Sequence, residues 1–175
     1  FEIWKDLENN YNSYPIFTAK EFLDTNKKSN ELNFVSIGIN DFSYNLTKKI
    51  LNDKTIVLVL ETENLAGMTE QRRVFFELIE KGITNPVILK RDYSNITFED
   101  LQLYSSTDLG ALLVDGFGDG VWLYVDDLKS DIEISGTYVK SFIKKSETKE
   151  KIVNRLLFNI LQAARQRISK TEYIA

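Results

Sequence analysis

The chain has no histidine and no cysteine in 175 residues. Without histidine it lacks the usual general base near neutral pH and the commonest metal ligand. Without cysteine it has no thiolate nucleophile, no disulfide and no cysteine-ligated cluster of its own. Chemistry here would have to run on carboxylates, lysine, tyrosine, serine or a hard cation. Long apolar runs are missing too: none approaches the ~18 residues of a membrane span. The N-terminal FEIWKDLENN has neither the basic start nor the apolar core of a signal peptide. A soluble chain without a membrane partner is therefore expected. There is also no basic surplus, since the formal charge is -4 with mixed signs. Binding a phosphate backbone needs clustered Lys and Arg, so nucleic acid is not an expected partner.

What remains is globular in character. Hydrophobic residues make up 43% and charged residues 27% of the chain, too apolar for a disordered one. The length suits a single α/β domain over residues 1–175. Thr18 and Glu21 match a capping box for a short helix through Phe22 and Leu23. FVSIGI (34–39) reads as a strand ending in Asn40 and Asp41, which would cap a helix carrying Phe42, Leu46 and Ile50 on one stripe. TIVLVL (55–60) reads as a strand covered on both faces. Thr69 would cap a helix with Val74, Phe75, Leu78 and Ile79 on one face, and Gly82 stands where a left-handed end residue belongs. PVILK (86–90) and VWLYV (121–125) are further strands, and TEYIA (171–175) looks like a last one, its abrupt end pointing to an excised piece. Between them, Ile152, Val153, Leu156, Leu157, Ile160, Leu161 and Ala164 fall at helical spacing. FEIW is a possible sixth strand, and residues 126–148 read as loop.

The glycine-rich stretch ALLVDGFGDG (111–120) poses the question of a phosphate-cradling loop. Its spacing is G-x-G-x-G rather than G-x-G-x-x-G, a strand rather than a helix follows, and Asp115 and Asp119 would repel an anion. A helix starting near Thr107, with Leu109, Leu112 and Leu113 on one face, accounts for it better. Gly116 is then the left-handed residue after the helix, and Phe117 folds back against its last turn.

In alternating β/α folds, ligands bind at the carboxyl ends of the strands. Those positions hold Asn40, Asp41, Glu61 to Asn64, Lys90, Arg91, Asp92, Asp126 and Asp127. One functional reading is a hard-cation site on Glu61, Asp92 and Asp126; another is Lys90 and Arg91 gripping one anion. The structural reading of the same residues is helix capping and solvated loop ends. Arg165, Arg167 and Lys170 would bind an acidic partner or neutralise the carboxyl end of the long helix.

Three stretches carry a family resemblance: PVILKR (86–91), GALLVDGFGDGVWL (110–123) and FNILQAARQRISKTEYIA (158–175). They resemble the large form of the 4-hydroxy-3-methylbut-2-enyl diphosphate synthase family (IspG, GcpE). In that family the pattern L-Q-x-x-R-x-R-x-x-K-T-E-Y is followed at once by C-P-x-C-G-R-T, the first ligands of an iron-sulfur cluster. Leu161, Gln162, Arg165, Arg167, Lys170, Thr171, Glu172 and Tyr173 match the first part. The likeness covers the second half of the chain well, and residues 1–85 only in βα pattern.

The resemblance implies an oxidoreductase with a catalytic TIM barrel, a second barrel-like domain inserted after it, and a C-terminal domain holding a [4Fe-4S] cluster. This chain resembles the inserted domain, wholly or in its later part. It would be a non-catalytic scaffold, inactive alone and without a cofactor, whose partners are the catalytic barrel and iron-sulfur domain of the same polypeptide. The parent reaction implied is reductive opening of 2-C-methylerythritol 2,4-cyclodiphosphate to 4-hydroxy-3-methylbut-2-enyl diphosphate, on the methylerythritol phosphate route to isoprenoids. Its setting is the bacterial cytoplasm, or the plastid stroma in plants. The fold expected is α/β, TIM-barrel-like, as a partial or irregular barrel of five to six βα units, because a closed barrel takes ~200 residues or more. The alternative is an open doubly wound parallel sheet. The rival function is a small-molecule or anion-binding α/β barrel with a site at the strand ends.

Overall fold

Residues 13–129 and 148–171 are described by a computed structural model, with side chains as far as Arg165. The expected strand at FEIW, most of the 126–148 loop and the last residues of TEYIA lie outside these described residues. Five strands form one sheet in the order β1-β2-β3-β4-β5, with β1 Ile16–Thr18, β2 Asn33–Ile37, β3 Ile56–Leu60, β4 Val87–Tyr93 and β5 Gly120–Val125. Pairing from β1 through β4 is parallel. Parallel neighbours cannot be joined by a tight turn, so a helix is needed in each long crossover. The architecture is therefore α/β with a five-stranded parallel sheet. Among the described residues no helix is long and apolar enough to cross a membrane.

By its contacts the chain divides into two compact units, Phe1–Lys90 with Gly118–Gly120, and Arg91–Phe117 with Val121–Ala175. In the first unit, β1 leads directly into α1 (Ala19–Asp24) through a capping box. The Thr18 hydroxyl accepts from the Glu21 amide, and the Glu21 carboxylate accepts from the Thr18 amide at 2.8 Å. Phe17 and Phe22 then meet at 6.0 Å between ring centres, both buried. Helix α2 (Tyr44–Leu51) buries Leu46 and Ile50, as their spacing requires, but it starts after Phe42. Its cap is Ser43, whose hydroxyl accepts from the Leu46 amide, while Asp41 turns back to accept from the Gly38 amide at 2.8 Å. Asp41 therefore shapes the loop, and Ser43 rather than Asn40 or Asp41 caps the helix.

Helix α3 (Gly67–Glu80) begins before Thr69 and buries Gln71, Val74, Phe75 and Leu78, with Ile79 turned outward at 61% exposure. Its end follows the sequence expectation. Gly82 is left-handed at φ 67°, its amide donates to Ile79 O, and the Ile83 amide donates to Leu78 O, the paired bonds of a Schellman ending.

In the second unit, α4 (Phe98–Ser105), a π-helical turn (Ser106–Gly110) and α5 (Ala111–Val114) run in succession, so helix begins well before Thr107. Thr97 caps it by accepting from the Asp100 amide at 3.1 Å. The π-turn arises where side chains compete for the helical carbonyls: Ser105 donates to Leu101 O, and Thr107 to Leu103 O and Tyr104 O. The widened turn buries both Asp108 and Leu109. After α5, Gly116 at φ 81° and Phe117 make the expected ending, with their amides on Leu113 O and Leu112 O. Helix α6 (Lys149–Thr171) buries Ile152, Val153, Leu156, Ile160 and Ala164. It runs through Lys170 and Thr171, so the strand expected to start at Thr171 does not begin there.

Gly118 carries a second constraint. Its φ is 93°, and a Cβ built on it would lie 2.9 Å from Leu89 Cγ. Gly118→Ala should lower the urea midpoint by the equivalent of roughly 1–3 kcal/mol, from left-handed strain and overpacking together. Gly120→Ala is the control, since its Cβ would meet Ile88 at an ordinary 3.5 Å with no positive φ, and its midpoint should move far less.

Candidate functional site

In the first unit, Glu61, just past the end of β3, and Lys90 come together, but β4 runs on to Tyr93, so Lys90, Arg91 and Asp92 lie within the strand and not at the carboxyl end expected from PVILK. Lys90 Nζ lies 2.8 Å from Glu61 Oε2, and the Ser36 hydroxyl donates to Glu61 Oε1. Beneath them Gln71, fully buried, donates through Nε2 to Leu60 O at 2.8 Å and to Lys90 O at 3.0 Å. Burial pushes the Glu61 carboxyl up, but the hydrogen bonds from Lys90 and Ser36 outweigh it and hold its pKa below the ordinary carboxylate range. It stays ionised at neutral pH, as an acceptor rather than a proton carrier.

In the second unit, Arg91 belongs to a different set. It is 5% exposed, and its Nε lies 2.9 Å from Oδ2 of Asp108, which is itself 8% exposed. Tyr93 donates its hydroxyl to the same oxygen at 2.8 Å, and the Arg91 guanidinium sits 5.4 Å from the Tyr93 ring centre. Burial drives the Tyr93 hydroxyl far above the ordinary phenol value; Asp108 adds to this and Arg91 opposes it. The hydroxyl therefore remains protonated and donating at any physiological pH.

This geometry bears directly on the anion clamp. Consecutive strand residues point to opposite faces, so Lys90 and Arg91 do not converge on one ligand, and each has a carboxylate partner instead. Asp92 and Asp126 are exposed, and the Asp126 backbone is engaged on both sides, its amide donating to Tyr93 O and its carbonyl accepting from Lys149 Nζ. Among the described residues no group of three His, Cys, Asp or Glu side chains is gathered as metal ligands. A chain with no cysteine also does not fit an iron-sulfur cluster as ligand donor. Of the motif residues, Arg165 is exposed on α6, whereas the side chains of Arg167, Lys170 and Thr171, and all of Glu172, fall outside the described residues.

Sequence reasoning missed Gln71 and Asp108. Gln71 shares the stripe of Val74, Phe75 and Leu78, so a polar residue at a core-facing position was its readable signal. Asp108 had none, because only the π-turn aims it at Arg91.

Two outcomes follow. Asp108→Asn, which leaves Arg91 buried beside a neutral partner, should cost on the order of 3–5 kcal/mol in urea unfolding. Combining it with Arg91→Met and Tyr93→Phe should recover most of that loss. Lys90→Met should raise the Glu61 pKa in a carbon-detected NMR titration. Because the folded pKa of Glu61 is depressed, its stabilising contribution is present above the unfolded carboxylate pKa and is lost as pH falls through the folded one. Lys90→Met should flatten that acid limb.

No model of a known protein family matches the chain, and no solved structure matches it. Curated proteins do. It is 35% identical over 172 residues to 4-hydroxy-3-methylbut-2-en-1-yl diphosphate synthase (flavodoxin) of Parabacteroides distasonis, covering 98% of this chain and 24% of that protein. To the enzyme of the same name from Porphyromonas gingivalis it is 34% identical, over 81% of this chain and 21% of the relative. To the chloroplastic 4-hydroxy-3-methylbut-2-en-1-yl diphosphate synthase (ferredoxin) of Oryza sativa it is 31% identical, over 73% of this chain and 15% of the relative. The chain thus spans about a quarter or less of the length of these relatives. It belongs, as a segment, to the 4-hydroxy-3-methylbut-2-en-1-yl diphosphate synthase family.

Proposed function

We propose that this chain is a non-catalytic inserted domain, or the later part of one, within a larger 4-hydroxy-3-methylbut-2-enyl diphosphate synthase. The observation that carries the reading is the coverage: nearly the whole chain aligns, yet it accounts for only 24% of the Parabacteroides protein. The ion pairs support it as well. Lys90 and Arg91, the cations best placed to bind a diphosphate, are each held by an internal carboxylate.

In this reading the parent reductively opens 2-C-methylerythritol 2,4-cyclodiphosphate, and the [4Fe-4S] cluster is held by cysteines of another domain. Electrons come from a flavodoxin-type donor, as the names of the bacterial relatives state for those proteins. The segment's partners are the catalytic barrel and the iron-sulfur domain of the same polypeptide, in the bacterial cytoplasm or, for plant-type proteins, the plastid stroma. Both compact units belong to one domain, and its winding is of the barrel type. The sequential strand order supports this, since it lacks the reversal that marks a doubly wound sheet.

The test is anaerobic turnover of the cyclic diphosphate by the full-length protein, by a variant with residues 1–175 replaced by a flexible linker, and by Lys90→Met. The deletion should lower turnover at least tenfold while the cluster absorbance is retained. Lys90→Met should turn over within twofold of wild type. A collapse of turnover in a folded Lys90→Met protein would place the chemistry in this segment and overturn the reading.

A further inference from the structure

Among the described residues the two most exposed large apolar side chains are Leu65, 97% exposed, and Tyr44, 79% exposed. Both belong to the first unit. Tyr44 stands at the start of α2, just after the loop that follows β2, and Leu65 lies in the loop between β3 and α3. Strands β2 and β3 pair in parallel with Ile37 opposite Leu60, so the two loops leave the sheet at the same end and side by side.

A single exposed apolar residue is ordinary. The construction around Leu65 is not. Glu70, in the first turn of α3, accepts from the Thr62 hydroxyl at 2.6 Å through one oxygen and from Asn64 Nδ2 at 3.1 Å through the other. The Asn64 amide donates to the Thr62 hydroxyl oxygen, and the Ala66 amide donates to Asn64 Oδ1, both at 3.0 Å. At its base Glu61 is held by Ser36 and Lys90. The hydrogen bonds among Thr62, Asn64, Ala66 and Glu70 fix the course of the loop, so Leu65 is held out in water instead of folding onto the nearest apolar surface, as a loose loop would allow. The neighbouring loop is braced in the same way, by Asp41 on the Gly38 amide and by Ser43 on the Leu46 amide. Asn40, Asp41, Glu63 and Asn64 adjoin the two side chains in the same loops, which makes those loops polar and acidic.

Two rigid apolar anchors within polar loops have the anatomy of an interface centre. We propose that Leu65 and Tyr44 are the anchors of a docking surface, and that its partner is an apolar pocket with a basic rim on another part of the same polypeptide. The inference rests on the scaffold reading above. Charge complementarity sets the basic rim, and the relatives' length sets the source, since about three quarters of such a polypeptide lies outside this segment. Tethering makes a small contact sufficient, because the effective concentration across a short linker is in the millimolar range.

The experiment uses the full-length protein with the photoreactive residue p-benzoylphenylalanine at position 65 or 44, irradiated and mapped by mass spectrometry. The expected products are crosslinks within one polypeptide to residues outside this segment. No crosslink, crosslinks confined to the segment, or crosslinks of doubled mass to a second copy would each overturn the proposal. In parallel, Leu65→Asp and Tyr44→Asp, shown to be folded by circular dichroism, should speed amide hydrogen exchange at the crosslinked surface on the order of tenfold. If deleting the segment costs turnover while both variants exchange and turn over as wild type, the docking inference fails and the scaffold reading survives. If the deletion leaves turnover unchanged, the scaffold reading fails, and this inference with it.

Discussion

The side-chain amide of Gln71 donates to the carbonyls of Leu60, the last residue of β3, and of Lys90, which follows Leu89, the partner of Leu60 in β4. Buried carbonyls need donors, and where parallel strands end the sheet no longer supplies them. One glutamine on α3 therefore ties the helix to β3 and β4 at the point where β3 leaves the sheet. Much of the geometry at that end of the first unit follows from that tie. Glu61 comes immediately after Leu60, so its carboxylate meets Lys90 and Ser36. Glu70 immediately precedes Gln71 and reaches back over the β3–α3 loop. The loop that carries Leu65 is braced from both sides by residues next to this one hydrogen-bonded junction.

Strand β4 shows how strictly backbone geometry limits what adjacent charges do together. Lys90 and Arg91 are neighbours in sequence but point to opposite faces, one to Glu61 and the other to Asp108. The two pairs also differ in character. The Glu61 side chain is 43% exposed and its ion pair is softened by water, whereas Arg91 and Asp108 are almost wholly shielded. A shielded pair contributes little net stability against an apolar alternative, but it is costly to break by removing one partner.

Several elements were legible because their causes are local. The Thr18–Glu21 box, the left-handed Gly82 and Gly116, and the apolar stripe from Ile152 to Ala164 each follow from chemistry within one or two helical turns, and each is present. The errors have local causes as well. Asn40 and Asp41 are good capping residues in composition, but Ser43 stands one residue before the helix and takes that role. Strand β1 is three residues long, too short for alternation to reveal it, and it is held by pairing with β2. The stretch from Phe98 was overlooked because its apolar positions keep no single helical period across the π-turn.

For the candidate site the division is sharper. The placement of Glu61 and Asp126 just after strands was readable from position, and so was the absence of thiol and imidazole chemistry, whereas Lys90, Arg91 and Asp92 fall inside a strand longer than its apolar run suggested. Which carboxylate each cation would meet was not, because Glu61 and Lys90 lie 29 residues apart and a parallel crossover brings them together. Nor was the exposure of Leu65, since an apolar residue in a loop is indistinguishable in sequence from one folded back into the core. By itself the sequence determined the helix ends, the apolar stripes and the kinds of chemistry available, all set by residues within a few positions of one another. Only the tertiary structure decided the ion pairs and the buried amide bridge, because each depends on separate segments meeting across the sheet or the helices.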